Sequence, residues 1–451
     1  MRHVINMTVT SSVGLMAIFL VDFLSLLYVS WLKNEVLTAA VGYASVVLFF
    51  LTSANIGFMI ATTALAAKRL GSGDKSGARR IAGSSLALMA ALAVGLWLIL
   101  LPVLMPLLSL LGAEGEVRDV AWRYLQITLP SNVLMALGMG FSGALRAVGD
   151  AKRAMYVTLA GGIVTAIIDP ILIFGLGLGI NGAAICVVIS RMVFALVGWY
   201  GAVKVHDMVA PPTLSGVKGD SRAVFAIAGP AILTNVATPF SLAVVARIVS
   251  VYGPWAIAAN TVIDRLTPIA FGALFALSGA VGPILAQNWG AGLFHRMRST
   301  LKDSFIFSAV YVLISWCVLI ICRNWIVDIF ALTGQAADGV IFFCWISGPM
   351  WFFVGLLFTA NAAFNNLGFP FYSTAFNWGR ATLGTIPFAW AGAQYYGYKG
   401  ALAGMMMGSI VFGITSAILA YRTIATLERR AQNLRNPIKE NSDIAQASTS
   451  L

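Results

Sequence analysis

The residues able to do chemistry in this chain are few, and most are charges inside apolar runs. Asp169 stands next to Pro170 in a run long enough to cross a bilayer. Asp22 lies in the first apolar run, Arg191 and Arg247 in two later ones, the adjacent pair Asp264 and Arg265 in another, and Arg380 near the C-terminal end. An ionisable group at membrane depth is costly and marks a functional site by default. A proline beside it frees a backbone carbonyl, which is tolerated where helices line a cavity. Two carboxylates close together in a low dielectric repel, so one holds a proton near neutral pH. The same oxygens, with the Thr165 hydroxyl one turn before Asp169, suit a sodium ion equally well. Asp22, Asp169 and Thr165 are therefore the candidate coupling-ion site, and the choice between H+ and Na+ stays open. The alternative is a static bridge between Asp169 and Arg191.

Adjacent residues on a helix point about 100° apart, so Asp264 and Arg265 do not readily pair with each other. They form either a charge site facing a central cleft or a structural pair with Arg380 or Arg247. Arg247 lies near a span end, where its side chain can snorkel to the interface. Asn55, Asn132, Arg191, Asn235, Asn260, Asn361, Arg380 and Trp351 are candidates to line a substrate path, each with an interhelical hydrogen bond or packing as its plainer role.

The elements that hold these residues follow from composition. Of 451 residues, 59% are hydrophobic and 10% charged, against roughly 25% charged in a soluble protein. The chain reads as an all-α polytopic membrane protein. Twelve spans are predicted, at 5–31, 36–66, 82–111, 120–145, 153–176, 180–204, 224–251, 256–286, 301–322, 337–364, 371–395 and 399–421. The first run is too long for a signal peptide and is read as a retained helix. With the N-terminus inside, the inner loops and C-terminal tail hold 20 Lys and Arg residues and the outer loops hold 5. This asymmetry puts both termini in the cytoplasm and explains the net charge of +12 without nucleic acid. Asp22, Asp169 and Asp264 then lie roughly 10–14 Å below the outer boundary at ~1.5 Å per residue.

The chain repeats. A shift of 219 brings Ala39 and Ala40 onto Ala258 and Ala259, Gly71 and Gly73 onto Gly290 and Gly292, Arg79 onto Arg298, Pro130 onto Pro349, and Gly149 onto Gly368. Six spans per half is an even number, so the halves are parallel repeats about an axis along the membrane normal, as in transporters that rock two lobes around a central site. The expected parts are an N-lobe at 1–204, a cytoplasmic linker at 205–222, a C-lobe at 223–423 and a polar cytoplasmic tail at 424–451, disordered after about Leu427. The same shift places Ser241 opposite Asp22 and Phe388 opposite Asp169, so the two carboxylates belong to the first half alone.

Other chemistries find no support. Two G-x-G-x-x-G strings, at Gly138, Gly140 and Gly143 and at Gly177, Gly179 and Gly182, lack the βαβ context of a nucleotide fold. There is no Walker A string. Cys186, Cys317, Cys322 and Cys344 sit in or at the ends of apolar runs and read as small buried residues. His3, His206 and His295 are far apart, so no metal site, cofactor or catalytic constellation is expected.

The segments LAAKRLGSGDKSGARR, GAVGPILAQNWGAG, SGALRAVGDAK, IIDPILIFGLGLGINGAAI and VDFLSLLYVSWL together resemble the signatures of the MATE (multidrug and toxic compound extrusion) transporters. The likeness covers both halves up to about residue 425 and is closer to the bacterial and archaeal DinF-like branch. It implies a V-shaped fold of two six-helix lobes, a monomer in the bacterial cytoplasmic (inner) membrane. It further implies a secondary active multidrug antiporter that exports organic, often cationic, small molecules by alternating access, with H+ or Na+ as the coupling ion and no other cofactor. The chain departs from that branch in lacking a proline in span 1 and in having Thr165 where Asn is common. It departs from the sodium-coupled branch in having no carboxylate in spans 7 and 10. The rival readings are a lipid-linked oligosaccharide flippase, whose cavity needs several cations, a passive channel, and a membrane-embedded enzyme.

Overall fold

A computed structural model describes Thr8, Ser12, Tyr28 and residues 35–449 except Ala331. Span 1, and Asp22 with it, lies outside the described residues. Every described element is helical. The helices are α1 (Glu35–Gly71), α2 (Lys75–Leu110), α3 (Gly115–Thr128), α4 (Asn132–Ala147), α5 (Ala151–Pro170), α6 (Gly179–Trp199), α7 (Leu214–Ser250), α8 (Pro254–Gly290), α9 (Phe294–Ile329), α10 (Gly334–Asn366), α11 (Pro370–Gly379) and α12 (Ile386–Thr449). Closed helical hydrogen bonding is what a lipid-facing backbone requires. Short π-helical turns extend α5 over Ile171–Gly175, α6 over Tyr200–Val205 and α11 over Arg380–Gly384. α12 holds two helices joined at a break at Tyr396 and Gly397, so the predicted spans 371–395 and 399–421 are both present.

The repeat survives in the backbone. Helices begin at Glu35 and Pro254, Lys75 and Phe294, Gly115 and Gly334, and Ala151 and Pro370, each pair 219 apart. The turns before them share their conformation. Gly73 and Gly292 have φ of 81° and 71°, and Gly149 and Gly368 have 85° and 84°. These are left-handed values that suit glycine. Asp74 and Asp150 then cap α2 and α5, accepting from Gly77 N and Arg153 N.

The halves differ at the proline that they share. In the first half the chain bends by 52° between α3 and α4, around Pro130. In the second, α10 continues through Pro349 as one helix. Two further differences concern the ends of the predicted parts. Residues 214–222, expected in the linker, are the first turns of α7, capped by Thr213. α12 continues into the C-terminal tail as far as Thr449.

The halves meet through α1, which packs on α7 and α8. Phe58 meets Phe225 edge to face at 5.4 Å. A Cβ on Gly57 would press on Ile232 and the Ala228 carbonyl. Nearer the basic loops, one on Gly71 would overlap the Gln287 carbonyl and one on Gly290 the Lys68 carbonyl. Lys68 Nζ sits 3.4 Å from the Trp289 ring centroid. Gln287 donates to the Ala147 carbonyl, and Arg146 Nη1 lies where a Gly279 side chain would be. Ala286 is buried in a first-half cluster and Ala151 in a second-half one. Towards the other end, Phe50 and Ile269 are 52% and 64% exposed.

Candidate functional site

Asp169 ends α5 and is fully buried. Two local features place it. Pro170 has no N–H, so the regular hydrogen-bond ladder stops there, and the following turn widens to a π-helix, a form found often at functional sites. The start of α6 then fits tightly against that turn, where a Cβ on Gly182 would collide with the Leu172 carbonyl. The antiparallel pair α5–α6 brings Cys186, also fully buried, against Asp169. The Cys186 thiol points at the Thr165 carbonyl at 4.0 Å. Thr165 donates to the Gly161 carbonyl at 3.1 Å, and Ser190 donates to the same oxygen at 2.8 Å. Thr165 lies one turn before Asp169 on the same helix, with its hydroxyl turned to the Gly161 carbonyl. Cys186 joins them, which sequence reasoning missed. Its signal is its position: Asp169 and Cys186 are equidistant from the turn at Gly177 and Leu178, as facing residues of a helical hairpin should be.

Arg191 does not bridge Asp169. Its Nη1 donates to the Thr128 carbonyl and to Ser131 Oγ, both at 3.0 Å. Ser131 donates to that same carbonyl at 2.7 Å. The Thr128 carbonyl is a backbone group left open at the bend around Pro130. In the second half the positions of Ser131 and Arg191 are Met350 and Ile410, which have nothing to donate, and there the helix stays continuous. Arg191 is therefore a support of the α3–α4 bend. The static-bridge reading of Asp169 and Arg191 is corrected accordingly.

Asn55 donates to Asn132 at 3.0 Å and joins α1 to α4. Asn235 donates to Ala231 O of its own helix. Neither lines an open cavity by these contacts. Asn361 is buried, and its Oδ1 has no partner among the described residues. Trp351 stacks on Phe271 at 4.9 Å as a packed core pair.

Asp264 and Arg265 are both exposed on α8. Asp264 accepts from Asn260 at 3.0 Å. The structural pairing of Asp264 with Arg380 is not formed, since the guanidinium of Arg380 has no carboxylate within 4 Å among the described residues. Arg380 is half-buried, with its Nε unpartnered among the described residues. The side chain of Arg247 is exposed. Phe388, at the repeat position of Asp169, is 40% exposed, so the second half carries no copy of the Asp169 site. Groups of His, Cys, Asp and Glu able to hold a metal are absent among the described residues.

Comparison with known proteins agrees with this architecture. The MatE family model matches twice, at residues 11–171 and 230–391, with starts separated by the same shift of 219. The FAD transporter of Shewanella oneidensis is 28% identical over 428 residues, covering 93% of this chain and 94% of that protein. The probable multidrug resistance protein NorM of Thermotoga maritima is 24% identical, covering 89% and 88%. The crystal structure of the Vibrio cholerae MATE transporter VcmN superposes with a TM-score of 0.89 at 22% identity, covering 95% and 98%. Twelve helices in two six-helix halves are the fold of those neighbours. With a family model that accounts for both halves, the chain belongs to the MatE family of multi-pass membrane transporters.

Proposed function

We propose that this transporter is a secondary active exporter of organic compounds, driven by exchange for protons or sodium ions at Asp169. The observation that supports this most is a fully buried carboxylate, unique to one half of a repeated fold, set at a proline and π-helical turn. A group so placed is costly to ionise, so binding and release of a cation changes its energy strongly. Asp22 is proposed as its partner and Thr165 as a further ligand. In this reading both termini are cytoplasmic, the Gly71–Gly290 contact seals the cytoplasmic side, and Asp264 with Arg265 face the open side. Transport alternates between this arrangement and one opened at the seal. The protein acts as a monomer in the bacterial inner membrane. The substrate class favoured is lipophilic organic cations, drawn by Asp264 and by aromatic faces.

A second substrate reading is an organic anion of the flavin-dinucleotide kind. It is favoured by Arg265, exposed with no carboxylate within 4 Å among the described residues, and by the relative named as an FAD transporter. Export of a lipid-linked oligosaccharide is less favoured, because Arg191 is already engaged at the α3–α4 bend.

The test is transport in proteoliposomes under a proton gradient alone and a sodium gradient alone, with a fluorescent lipophilic cation and with FAD, for wild type and Asp169→Asn. Transport driven by one gradient and lost in the variant supports coupling at Asp169. Full gradient-driven transport by the variant overturns it. Movement of FAD but not of the cation selects the second substrate reading.

A further inference from the structure

A cavity of about 350 Å³ opens on the first half near the basic loops. Its walls are Ala87 and Ala90 of α2, Leu137 and Phe141 of α4, and Trp199 of α6, with Pro211 of the α6–α7 connector. The connector is pinned beneath it. Ala210 N donates to the Arg79 carbonyl at 3.1 Å, Met208 N donates to the Ala202 carbonyl at 2.8 Å, and Met208 is fully buried. The connector that forms one side of the cavity is therefore held in place. The cavity is almost entirely apolar, lies between membrane-spanning helices, and has a size suited to a ligand chain.

The charges around its mouth are distributed unevenly. Arg79 is paired with Asp207 at 2.7 Å and Arg80 with Asp220 at 3.1 Å. Arg153 and His206 both engage Asp150. Lys204 has no carboxylate within 4 Å among the described residues, and its Nζ rests 5.5 Å from the centroid of Trp199, which lines the cavity. On the adjoining helix α5, Lys152 lies over the exposed Tyr156 at 5.9 Å. An exposed aromatic ring topped by a lysine is what the headgroup level of a bilayer selects. The apolar slot, with Trp199 in its wall, and the uncompensated Lys204 beside that ring make the two ends of a site for one molecule.

We infer that this cavity binds a single anionic phospholipid of the surrounding bilayer, one acyl chain filling the slot and the phosphate facing Lys204. A zwitterionic lipid fills the same slot but gains less from Lys204, so the site selects by headgroup charge.

The test uses the full chain purified in detergent and titrated with phosphatidylglycerol or phosphatidylcholine of identical chains, with retained lipid counted by native mass spectrometry. Phosphatidylglycerol should be retained about fivefold better, the factor expected for one lysine at an anionic surface. Lys204→Gln should remove that preference, while Lys302→Gln, on α9 of the other half, should leave it intact. Ala87→Trp should fill the slot and abolish retention of both lipids; if that variant does not fold, Ala90→Met serves instead. The inference fails if the two lipids bind equally to wild type, if Lys204→Gln keeps the preference, if Lys302→Gln removes it as well, or if slot-filling leaves retention unchanged.

Discussion

Gly71 and Gly290 make the same contact in opposite directions. Gly71 packs on the Gln287 carbonyl, and Gly290 packs on the Lys68 carbonyl. Gln287 is Lys68 shifted by 219, as Gly290 is Gly71. A two-fold axis must therefore pass between the ends of α1 and α8, in the manner of a self-complementary interface within one chain. Neither position has room for a side chain. Gly71→Val and Gly290→Val should each destabilise the sealed arrangement by about 1–3 kcal/mol of overpacking, shifting the equilibrium away from it roughly 5- to 150-fold. Ala64 lines a small cavity at the same seam. A cysteine placed there, on a cysteine-free background, should react faster with a water-soluble maleimide in both variants. An unchanged rate in either would mean that the contact does not govern access.

Arg191 and Ser131 together hold the Thr128 carbonyl at the α3–α4 bend. Replacing Arg191 by Met removes two hydrogen bonds from a charged donor, each of which contributes about 1.5–3 kcal/mol. The expected outcome is a protein of lower unfolding midpoint in detergent, with its transport rate reduced but still dependent on the ion gradient. Loss of gradient dependence with an unaltered midpoint would instead place Arg191 in the coupling chemistry.

Much of this organisation was legible in the sequence because it is carried by local signals. Apolar length marks the spans, and Gly73, Gly149, Gly292 and Gly368 mark turns whose backbone needs a left-handed residue. The shift of 219 follows from those same glycines. Side-chain partners were less legible. Arg191 reads from sequence as a cavity cation or a mate for Asp169, because the carbonyl that it satisfies exists as a free group only once the helix has bent at Pro130. Nothing in Pro130 and Pro349 themselves says that one helix bends and the other does not. The difference lies in Ser131 and Arg191 against Met350 and Ile410, residues distant in the chain from one another. Cys186 reads as packing until the hairpin of α5 and α6 puts it against Asp169.

Cys186 gives the most direct probe of that pocket. It is fully buried and faces both Asp169 and the Thr165 carbonyl. Cys186→Ser keeps the size and a donor, so transport should stay within about threefold of wild type. Cys186→Leu adds volume where close packing leaves no void, at a cost of about 1–3 kcal/mol, and should abolish gradient-driven transport while the protein still inserts. Transport by Cys186→Leu equal to wild type would show that the space around Asp169 is not closely shaped. Binding of a fluorescent substrate, measured alongside, separates loss of coupling from loss of the substrate site.

Asp150 predicts a pH dependence of stability outside the membrane. Burial alone would raise its pKa, but hydrogen bonds from the Arg153 N–H, from His206 and from the Arg153 side chain outweigh this and hold it below the ordinary value. The contacts are 2.9 Å to Arg153 N, 2.7 Å to His206 Nε2 and 2.6 Å to Arg153 Nη1. They tie the turn before α5 to the connector after α6. A carboxylate whose folded pKa is depressed contributes stability that is fully present above its unfolded pKa, about 3.9, and lost as pH falls through the folded value. The unfolding midpoint of wild type should therefore exceed that of Asp150→Asn at neutral pH, and the gap should narrow only below about pH 4. Asp150→Asn keeps a side-chain oxygen for the helix cap, so the difference reports the charge and its partners more than the cap itself. A gap that is constant from pH 7 to pH 3 would show that the carboxylate form does not carry the stabilisation.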